Sequence, residues 1–546
     1  MFMRKLTSQA LCDLDAPVVE TKEGKLRGVY REGTYIFRGI KYAEARRFHA
    51  PVRVTSWEGV RSALVYGPVC HELNTHIAHD NYYVPHFYYP QSEDCLYLNI
   101  WTQQIDPDAG KPVMVWLHGG GFHTGSSIEL MSYDGENLSA FGDVVVVSLN
   151  HRLNLLGFLD LSAYGEAYRN SANRGMEDLL EGLRWIRDNI AAFGGDPNNI
   201  TLFGQSGGGA KACDLMQMPM ADGLYHRVIM QSGGAGPEMR PGITESMMKE
   251  ARQALAAGIL EELNLSADEK GVETLERVDW YDLVDAAEQA MTGVQQKSGI
   301  RPDWGPLPDG EFFLGHPLIH GFREETREIP MMVGNVYAET QINYAVVLGE
   351  GSKNEWDEEK KARILKERFG DRTEEILSAF RKAYPGRNLA DSLFIGTRMR
   401  RESIDFCKAR AKVSPGKIWN WQFDLEGPFY GGVLPWHNAE EPFVFHNVEY
   451  IEASFIPGVS EKLQDAMCEA WVRFAKTGDP NHPGLPVWES VSPDRVPTML
   501  FDRECTVAVN HDRELLPLLP PELPRRKPRT FNFENVKGRA PRNHAL

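Results

Sequence analysis

Ser206 stands in a Gly-x-Ser-x-Gly stretch, residues 204–208, whose residue types suit a catalytic nucleophile. The stretch follows the apolar run 200–203, which predicts a buried strand, and precedes residues 209–216, which predict a helix. A serine on a sharp turn between strand and helix is held in a strained backbone conformation with its hydroxyl exposed, and flanking glycines let the two elements approach closely. The pattern therefore predicts a nucleophile elbow.

A serine nucleophile needs an oxyanion hole, a general base and an acid that orients the base. Residues 118–122, His-Gly-Gly-Gly-Phe, directly follow a predicted strand at 113–117. Because glycines let successive backbone N–H groups turn towards a substrate carbonyl, we predict that the N–H groups of Gly120, Gly121 and Gly207 hold the oxyanion. A phosphate-binding turn is disfavoured, since neither GxGxxG nor the lysine of a P-loop is present.

The remaining sequence predicts the elements that must position these groups. Continuous apolar runs at 113–117 and 144–149 are typical of strands buried on both faces. Apolar residues at helical spacing predict a helix over 176–192. Later strands are predicted at 228–230, 329–333 and 418–423. This alternation predicts an α/β fold with a large, mixed, mostly parallel sheet flanked by helices.

Two long segments between the later strands, 237–328 and 345–415, have mainly helical sequence. We predict that they are insertions over the carboxyl ends of the strands, where open α/β sheets place their sites. The tail from about residue 512 to 546 is rich in Pro, Lys and Arg and predicts an extended surface strap. The expected organisation is one domain over residues 1–546.

Composition excludes several classes of protein. The chain has 546 residues and a formal charge of −17, which disfavours nucleic-acid binding because phosphates require a basic surface. A membrane span is not expected, since no apolar stretch of sufficient length occurs. The first residues lack the apolar centre of a signal peptide, and the seven scattered cysteines have no metal spacing, so we expect a cytoplasmic protein without metal or cofactor.

These motifs occur in a longer ordered series over about residues 20 to 500. The chain resembles the type-B carboxylesterases, the cholinesterase and carboxylesterase branch of the α/β-hydrolase fold, and is similar to the bacterial para-nitrobenzyl esterases among them. The segments that carry the resemblance, besides the elbow and residues 118–122, are 37–43 (FRGIKYA), 92–99 (SEDCLYLN), 189–197 (NIAAFGGDP), 470–475 (AWVRFA) and 477–481 (TGDPN).

The resemblance implies the two missing catalytic groups. The family's acid follows a strand-ending glycine by five residues, which assigns Glu339 after Gly334. Its base lies on a loop after the last large strand, which assigns His437, with His446 as the main competitor. His437 is then expected to take the proton of Ser206, while Glu339 fixes the imidazole tautomer. The competing acids, in polar or helical contexts, are Glu311, Glu324, Glu325 and Glu328.

Three positions depart from the family's usual pattern, which has Glu before the serine, Ala after it, and Gly after the acid. They are Gln205, Gly207 and Thr340. Cys70 and Cys95 match the family's first disulfide, although reduced thiols are an equal expectation.

The segment between these cysteines is expected to edge the path to the active site. Its aromatic residues either form a lip for an apolar substrate or pack the loop down; they are Tyr82, Tyr83, Phe87, Tyr88 and Tyr89. Its histidines have irregular spacing and are not expected to bind metal; they are His71, His76, His79 and His86.

The function expected from these observations is hydrolysis of small, rather apolar carboxylic esters through an acyl-enzyme on Ser206. Two alternatives remain open at this point. The same triad could act on amide or carbamate bonds, or the chain could be a cholinesterase-like binding protein without activity. The presence of Ser206, Glu339 and His437 argues against the second alternative.

Overall fold

The computed structural model describes residues 10–73, 84–236, 242–339 and 351–520, apart from the side chain of Tyr430. Within these ranges, eleven strands form one central sheet. In chain order they are β1 (Val29–Arg31), β2 (Thr34–Lys41), β3 (Tyr97–Thr102), β4 (Lys111–Leu117), β5 (Val145–Leu149), β6 (Gly195–Gln205), β7 (Arg227–Gln231), β8 (Met331–Val336), β9 (Ile418–Phe423), β10 (Pro497–Phe501) and β11 (Thr506–Val509).

The order across the sheet is β11-β10-β9-β8-β7-β6-β4-β5-β3-β2-β1. Strands β4 to β10 pair in parallel, whereas β11 at one edge and β3, β2 and β1 at the other pair antiparallel. The predicted mixed, mostly parallel sheet is therefore confirmed. Two small sheets precede it in the chain, made of Val18–Glu20, Lys25–Arg27 and Val60–Ser62, and of Ala43–Glu44 and Val52–Arg53.

Helices flank this sheet. The α-helices in the described residues are α1 (Glu136–Gly142), α2 (Asn154–Phe158), α3 (Arg174–Asn189), α4 (Gly207–Met216), α5 (Glu245–Glu262), α6 (Glu269–Leu275), α7 (Trp280–Ser298), α8 (Pro317–His320), α9 (Glu358–Phe369), α10 (Thr373–Ala383), α11 (Thr397–Val413), α12 (Glu441–Val444) and α13 (Ser460–Thr477). The helix predicted over 176–192 is α3, whose last predicted residues form a separate 3-10 turn, Ile190–Phe193.

Both faces of the sheet are buried, as the continuous apolar runs predict. Along β4, Val113, Val115 and Leu117 belong to one hydrophobic cluster, while Met114 and Trp116 belong to the cluster on the opposite face. Side chains of a strand alternate between faces, so each strand contributes to two cores. A strand held from both sides gives a rigid base for the loops at its carboxyl end.

The two predicted insertions carry helices α5 to α8 and α9 to α11, respectively, in their described parts. The first insertion contacts the loop after β4, because His123 pairs with Asp303 at 2.8 Å. The second contacts the end of β8, where Gly396 N donates to Tyr337 O at 2.8 Å. Helix α11 then packs on the sheet itself, with Asn420 of β9 donating to Ser403 Oγ at 2.9 Å.

The C-terminal segment packs on the body as far as residue 520, the last one described there. Asp512 accepts a 2.6 Å hydrogen bond from Arg400 Nε, and Leu515 is buried. The rest of the predicted strap, residues 521–546, lies outside the described residues. No helix in the described part of the chain combines the length and apolar character needed to cross a membrane.

Candidate active site

Ser206 lies between β6 and α4, on the turn that the sequence predicts. Its backbone has φ 54° and ψ −122°, a region that residues other than glycine rarely occupy. The turn is held from both sides, since Ser206 N donates to Gln231 O at 2.7 Å and Ala210 N donates to Ser206 O at 3.1 Å. The neighbouring structure thus maintains the strained conformation that a nucleophile elbow needs.

The glycine loop 119–121 follows β4 and lies against the elbow. Gly120 and Gly121 have φ values of 80° and 65°, which side chains disfavour. A Cβ on Gly207 would stand only 2.3 Å from Gly121 O. The absence of a side chain at position 207 therefore allows the loop and the first turn of α4 to touch. This contact brings together the three glycines predicted to hold an oxyanion.

Glu339 and His437 form the second half of the site. Glu339 Oε2 lies 2.5 Å from His437 Nδ1, and its Oε1 accepts from Val336 N at 3.1 Å. The backbones are also bridged, because His437 N donates to Glu339 O at 3.0 Å. Since Nδ1 faces the carboxylate, the predicted proton exchange with Ser206 falls to Nε2. Strand β8 ends at Val336, two residues after Gly334, the glycine expected to end it.

Gln231 and Glu440 connect the two halves, and the sequence reasoning did not find them. Gln231 accepts from Ser206 N through its backbone, and its side-chain Nε2 donates to Glu440 Oε1 at 3.1 Å. Glu440 is fully buried three residues after His437, and burial together with the nearby charge of Glu339 raises its pKa to about 7. The signal available in the sequence was a Glu-Glu pair directly before an apolar run.

A buried cation lies behind the glycine loop and was also missed. Lys211 on α4 has no exposed surface, and its Nζ donates to His118 O at 2.8 Å. The rings of His118 and His151 stack nearby, 5.1 Å between centroids. Burial first, and then the charge of Lys211, lowers the pKa of both histidines, so both imidazoles are neutral. A lysine within a run of small residues, 207–213, was the sequence signal.

The competing residues lie elsewhere. His446 pairs with Asp465 at 2.7 Å and stacks on Phe141. The four alternative acids have exposed side chains and form ion pairs: Glu311 with Arg169, Glu324 with Arg327, Glu325 with Arg323, and Glu328 with Lys417. Within the described residues, no group of acids, histidines and cysteines is arranged to hold a metal ion.

The segment between Cys70 and Cys95 is described in part. Tyr82, Tyr83, His76 and His79 lie outside the described residues, as does Thr340. Of the rest, Phe87 and Tyr88 are 44% and 76% exposed. Tyr89 contacts the rings of both Phe87 and Tyr66 edge-on. Exposed and packed aromatics therefore occur side by side.

Cys70 and Cys95 are buried, reduced neighbours. The hydrogen bond shared with Cys70, together with burial, raises the pKa of the Cys95 thiol. Leu153 N donates to Cys70 Sγ at 3.2 Å. Of the two expectations for this pair, a disulfide or reduced thiols, the structure shows reduced thiols.

The fold and this arrangement define an α/β hydrolase with a serine-esterase type of site. The model of the carboxylesterase family matches residues 15–515, and the chain belongs to that family. It is a serine hydrolase of carboxylic esters. The resemblance seen in the sequence is thereby confirmed.

Several relatives of known identity are similar over nearly their whole length. The para-nitrobenzyl esterase of Bacillus subtilis (strain 168) is 31% identical over 512 residues, which cover 91% of this chain and 97% of that protein. Phenmedipham hydrolase of Pseudarthrobacter oxydans is 32% identical, covering 88% and 93%. Among solved structures, an esterase from anaerobic Clostridium hathewayi that can hydrolyze aliphatic aromatic polyesters has 44% identity and a TM-score of 0.86, covering 94% of this chain and all of that one.

Proposed function

We propose that Ser206 attacks the ester carbonyl, that His437 accepts its proton, and that Glu339 orients His437 and stabilises the imidazolium. The oxyanion is held by the N–H groups of Gly120, Gly121 and Gly207, and each such donor contributes on the order of 3 kcal/mol to transition-state stabilisation. His437 then donates its proton to the leaving alcohol, and water hydrolyses the acyl-enzyme. The observation that carries this proposal is the 2.5 Å contact between Glu339 Oε2 and His437 Nδ1.

The preferred substrates under this proposal are esters with apolar or aromatic groups. The exposed rings of Phe87 and Tyr88, on the segment expected to edge the site, offer surface to such groups. A second candidate is the ester bond of an aliphatic aromatic polyester. Similarity to the Clostridium hathewayi esterase over 94% of this chain favours it.

Rapid mixing with p-nitrophenyl acetate tests the catalytic roles. We expect a burst of one p-nitrophenolate for each active site, followed by steady turnover. Ser206→Ala should lower kcat by at least about 10⁴-fold, because the nucleophile is lost while binding is kept. A Ser206→Ala enzyme with wild-type turnover contradicts the assignment. Ser246→Ala, a change at an exposed position of α5, is the matched control and should leave kcat unaltered.

A substrate panel tests the preference. It comprises acetate, butyrate and benzoate esters of p-nitrophenol, a soluble terephthalate diester, a film of an aliphatic aromatic polyester, one anilide and one carbamate. We expect kcat/KM to rise from acetate to benzoate. Release of soluble acid from the film supports the second candidate, and its absence restricts the enzyme to small esters. Turnover of the anilide or carbamate alone would contradict the proposal.

A further inference from the structure

We propose that Lys211 is a positioning residue that fixes the glycine loop through the main-chain carbonyl of His118. The proposal rests on the proposed function, in which this loop supplies oxyanion donors. Lys211 lies five residues after Ser206, in the helix that begins at the elbow. One helix therefore carries the nucleophile at its start and an anchor for the oxyanion loop in its second turn.

The contact is made inside the protein. Lys211 is fully buried, its Nζ donates to His118 O at 2.8 Å, and it lies 5.6 Å from the centre of the Phe122 ring. A hydrogen bond from an ammonium group in a medium of low dielectric constant is strong and short-ranged. The ammonium thus contacts the residues that bracket Gly119, Gly120 and Gly121.

The loop needs an anchor from outside itself. Its three glycines have no side chains, and the hydrogen bonds that close the turn, from His123 N and Thr124 N to Gly120 O at 3.2 Å, leave the peptide between His118 and Gly119 to be held from outside. The peptide group is planar, and holding His118 O therefore fixes the direction of Gly119 N–H in the same plane. The following peptides, which carry the predicted oxyanion donors, start from that fixed plane.

The other end of the loop is anchored separately. Asn154 N donates to Phe122 O at 2.7 Å, and its side-chain Nδ2 donates to His123 O at 3.0 Å. Lys211 and Asn154 thus hold the two ends, with the three glycines between them. Loss of the Lys211 contact releases the end nearest to Ser206, while the Asn154 contacts and the sheet remain.

Lys211→Met tests the proposal, because methionine keeps a long unbranched side chain and lacks the donor. We expect kcat/KM for p-nitrophenyl esters to fall roughly 10- to 100-fold with KM within about twofold, since misplacing the loop affects only the transition state. The matched control is Lys111→Met. Lys111 lies at the opposite end of β4, bonded to Asp143 at 2.5 Å, and its loss should leave the kinetics unchanged.

Inhibitor binding separates positioning from a general loss of structure. A trifluoromethyl ketone forms a tetrahedral adduct with Ser206 whose oxygen occupies the oxyanion hole. We expect its Ki in Lys211→Met to rise by the same factor as kcat/KM falls, after both are normalised to the active sites titrated with an organophosphate. An unchanged Ki and unchanged kcat per titrated site overturn the proposal.

Lys211→Gln covers the case in which the methionine variant does not fold. The amide retains an N–H donor, so we expect kcat/KM to fall by less than about tenfold relative to wild type, with a parallel rise in Ki. If neither variant yields titratable enzyme, Lys211 serves the core alone and the proposal fails. The proposed function is tested separately, by wild-type turnover and its loss in Ser206→Ala. Failure of the Lys211 proposal can therefore be distinguished from failure of the proposed function.

Discussion

The site depends on individual side chains whose ionisation is set by burial. Glu339 is nearly inaccessible, yet the contact of its Oε2 with His437 Nδ1 and the bond to its Oε1 from Val336 N satisfy both carboxylate oxygens. Glu440 is also fully buried, its Oε1 accepts from Gln231 Nε2, and its pKa is raised to about 7. Burial, together with the nearby charge of Glu339, is the cause of the raised pKa of Glu440.

Glu440→Gln should change how stability depends on pH. Because the folded-state pKa of Glu440 is raised from 4.5 to about 7, its contribution to stability is complete below pH 4.5 and is lost as the pH rises through 7. Glutamine does not titrate and therefore escapes this loss. The free energy of unfolding of the variant minus that of wild type should be about 2 to 3 kcal/mol larger at pH 8 than at pH 5. Urea unfolding of both proteins at the two pH values measures this difference.

The control for that experiment is Glu452→Gln, a change at an exposed glutamate. Its free energy of unfolding, relative to wild type, should be the same at pH 5 and pH 8. A Glu440→Gln variant that also shows no change between the two pH values would contradict the assigned protonation of Glu440.

Among the elements, the contact between α4 and the loop after β4 decides the geometry of the proposed oxyanion hole. The first turn of α4 touches this loop at Gly207, and its second turn reaches the loop through Lys211. Parallel neighbours β4 and β6 set the distance between the two, since Gly204 pairs with Leu117 across the sheet. The proposed hole thus combines groups from two strand ends and one helix.

Gly207→Ala should disturb this assembly. The added Cβ would stand 2.3 Å from Gly121 O and 2.4 Å from Gly121 Cα, so backbone must move to accept it. We expect kcat/KM for p-nitrophenyl acetate to fall about 10- to 100-fold, because displaced donors no longer meet the oxyanion. Gly293→Ala, in α7 where a Cβ meets nothing within 4 Å, is the control and should keep full activity. Full activity of Gly207→Ala would show that the loop adapts without cost.

At the scale of the whole molecule, the segment before residue 520 ties an insertion helix to the sheet. Arg400 of α11 bonds to Asp512 at 2.6 Å and to Asn420 Oδ1 of β9 at 2.7 Å. Both members of the Arg400–Asp512 pair are 1% exposed. The segment that follows β11 is therefore part of the core structure up to this point.

Asp512→Asn should be strongly destabilising. It leaves Arg400 buried without its countercharge, which costs about 3 to 5 kcal/mol in the free energy of unfolding. Urea unfolding at pH 7 measures the loss. The control is Glu514→Gln, two residues after Asp512. It removes an exposed ion pair with Lys382 and should cost less than about 1 kcal/mol in the free energy of unfolding. Equal effects of the two changes would contradict the structural role given to Asp512.

The sequence predicts most of the fold because strands buried on both faces leave continuous apolar runs and α3 leaves a helical one. It also predicts the positions of Ser206 and the glycine loop, since each lies within one short motif. Glu339 and His437 were assigned through resemblance rather than pattern. Lys211, Gln231 and Glu440 were not predicted, because a lone polar residue gives no sign in the sequence of whether it is buried or of what it contacts.

By itself, the sequence determined the local geometry: a strained serine between a strand and a helix, and a glycine turn after a strand. Steric restrictions on a few neighbouring residues suffice for both. The tertiary structure decided which groups meet. Glu339 and His437 are 98 residues apart, and Lys211 and His118 are 93 apart. Their contacts follow from the order of strands in the sheet and from burial, which only the complete fold defines.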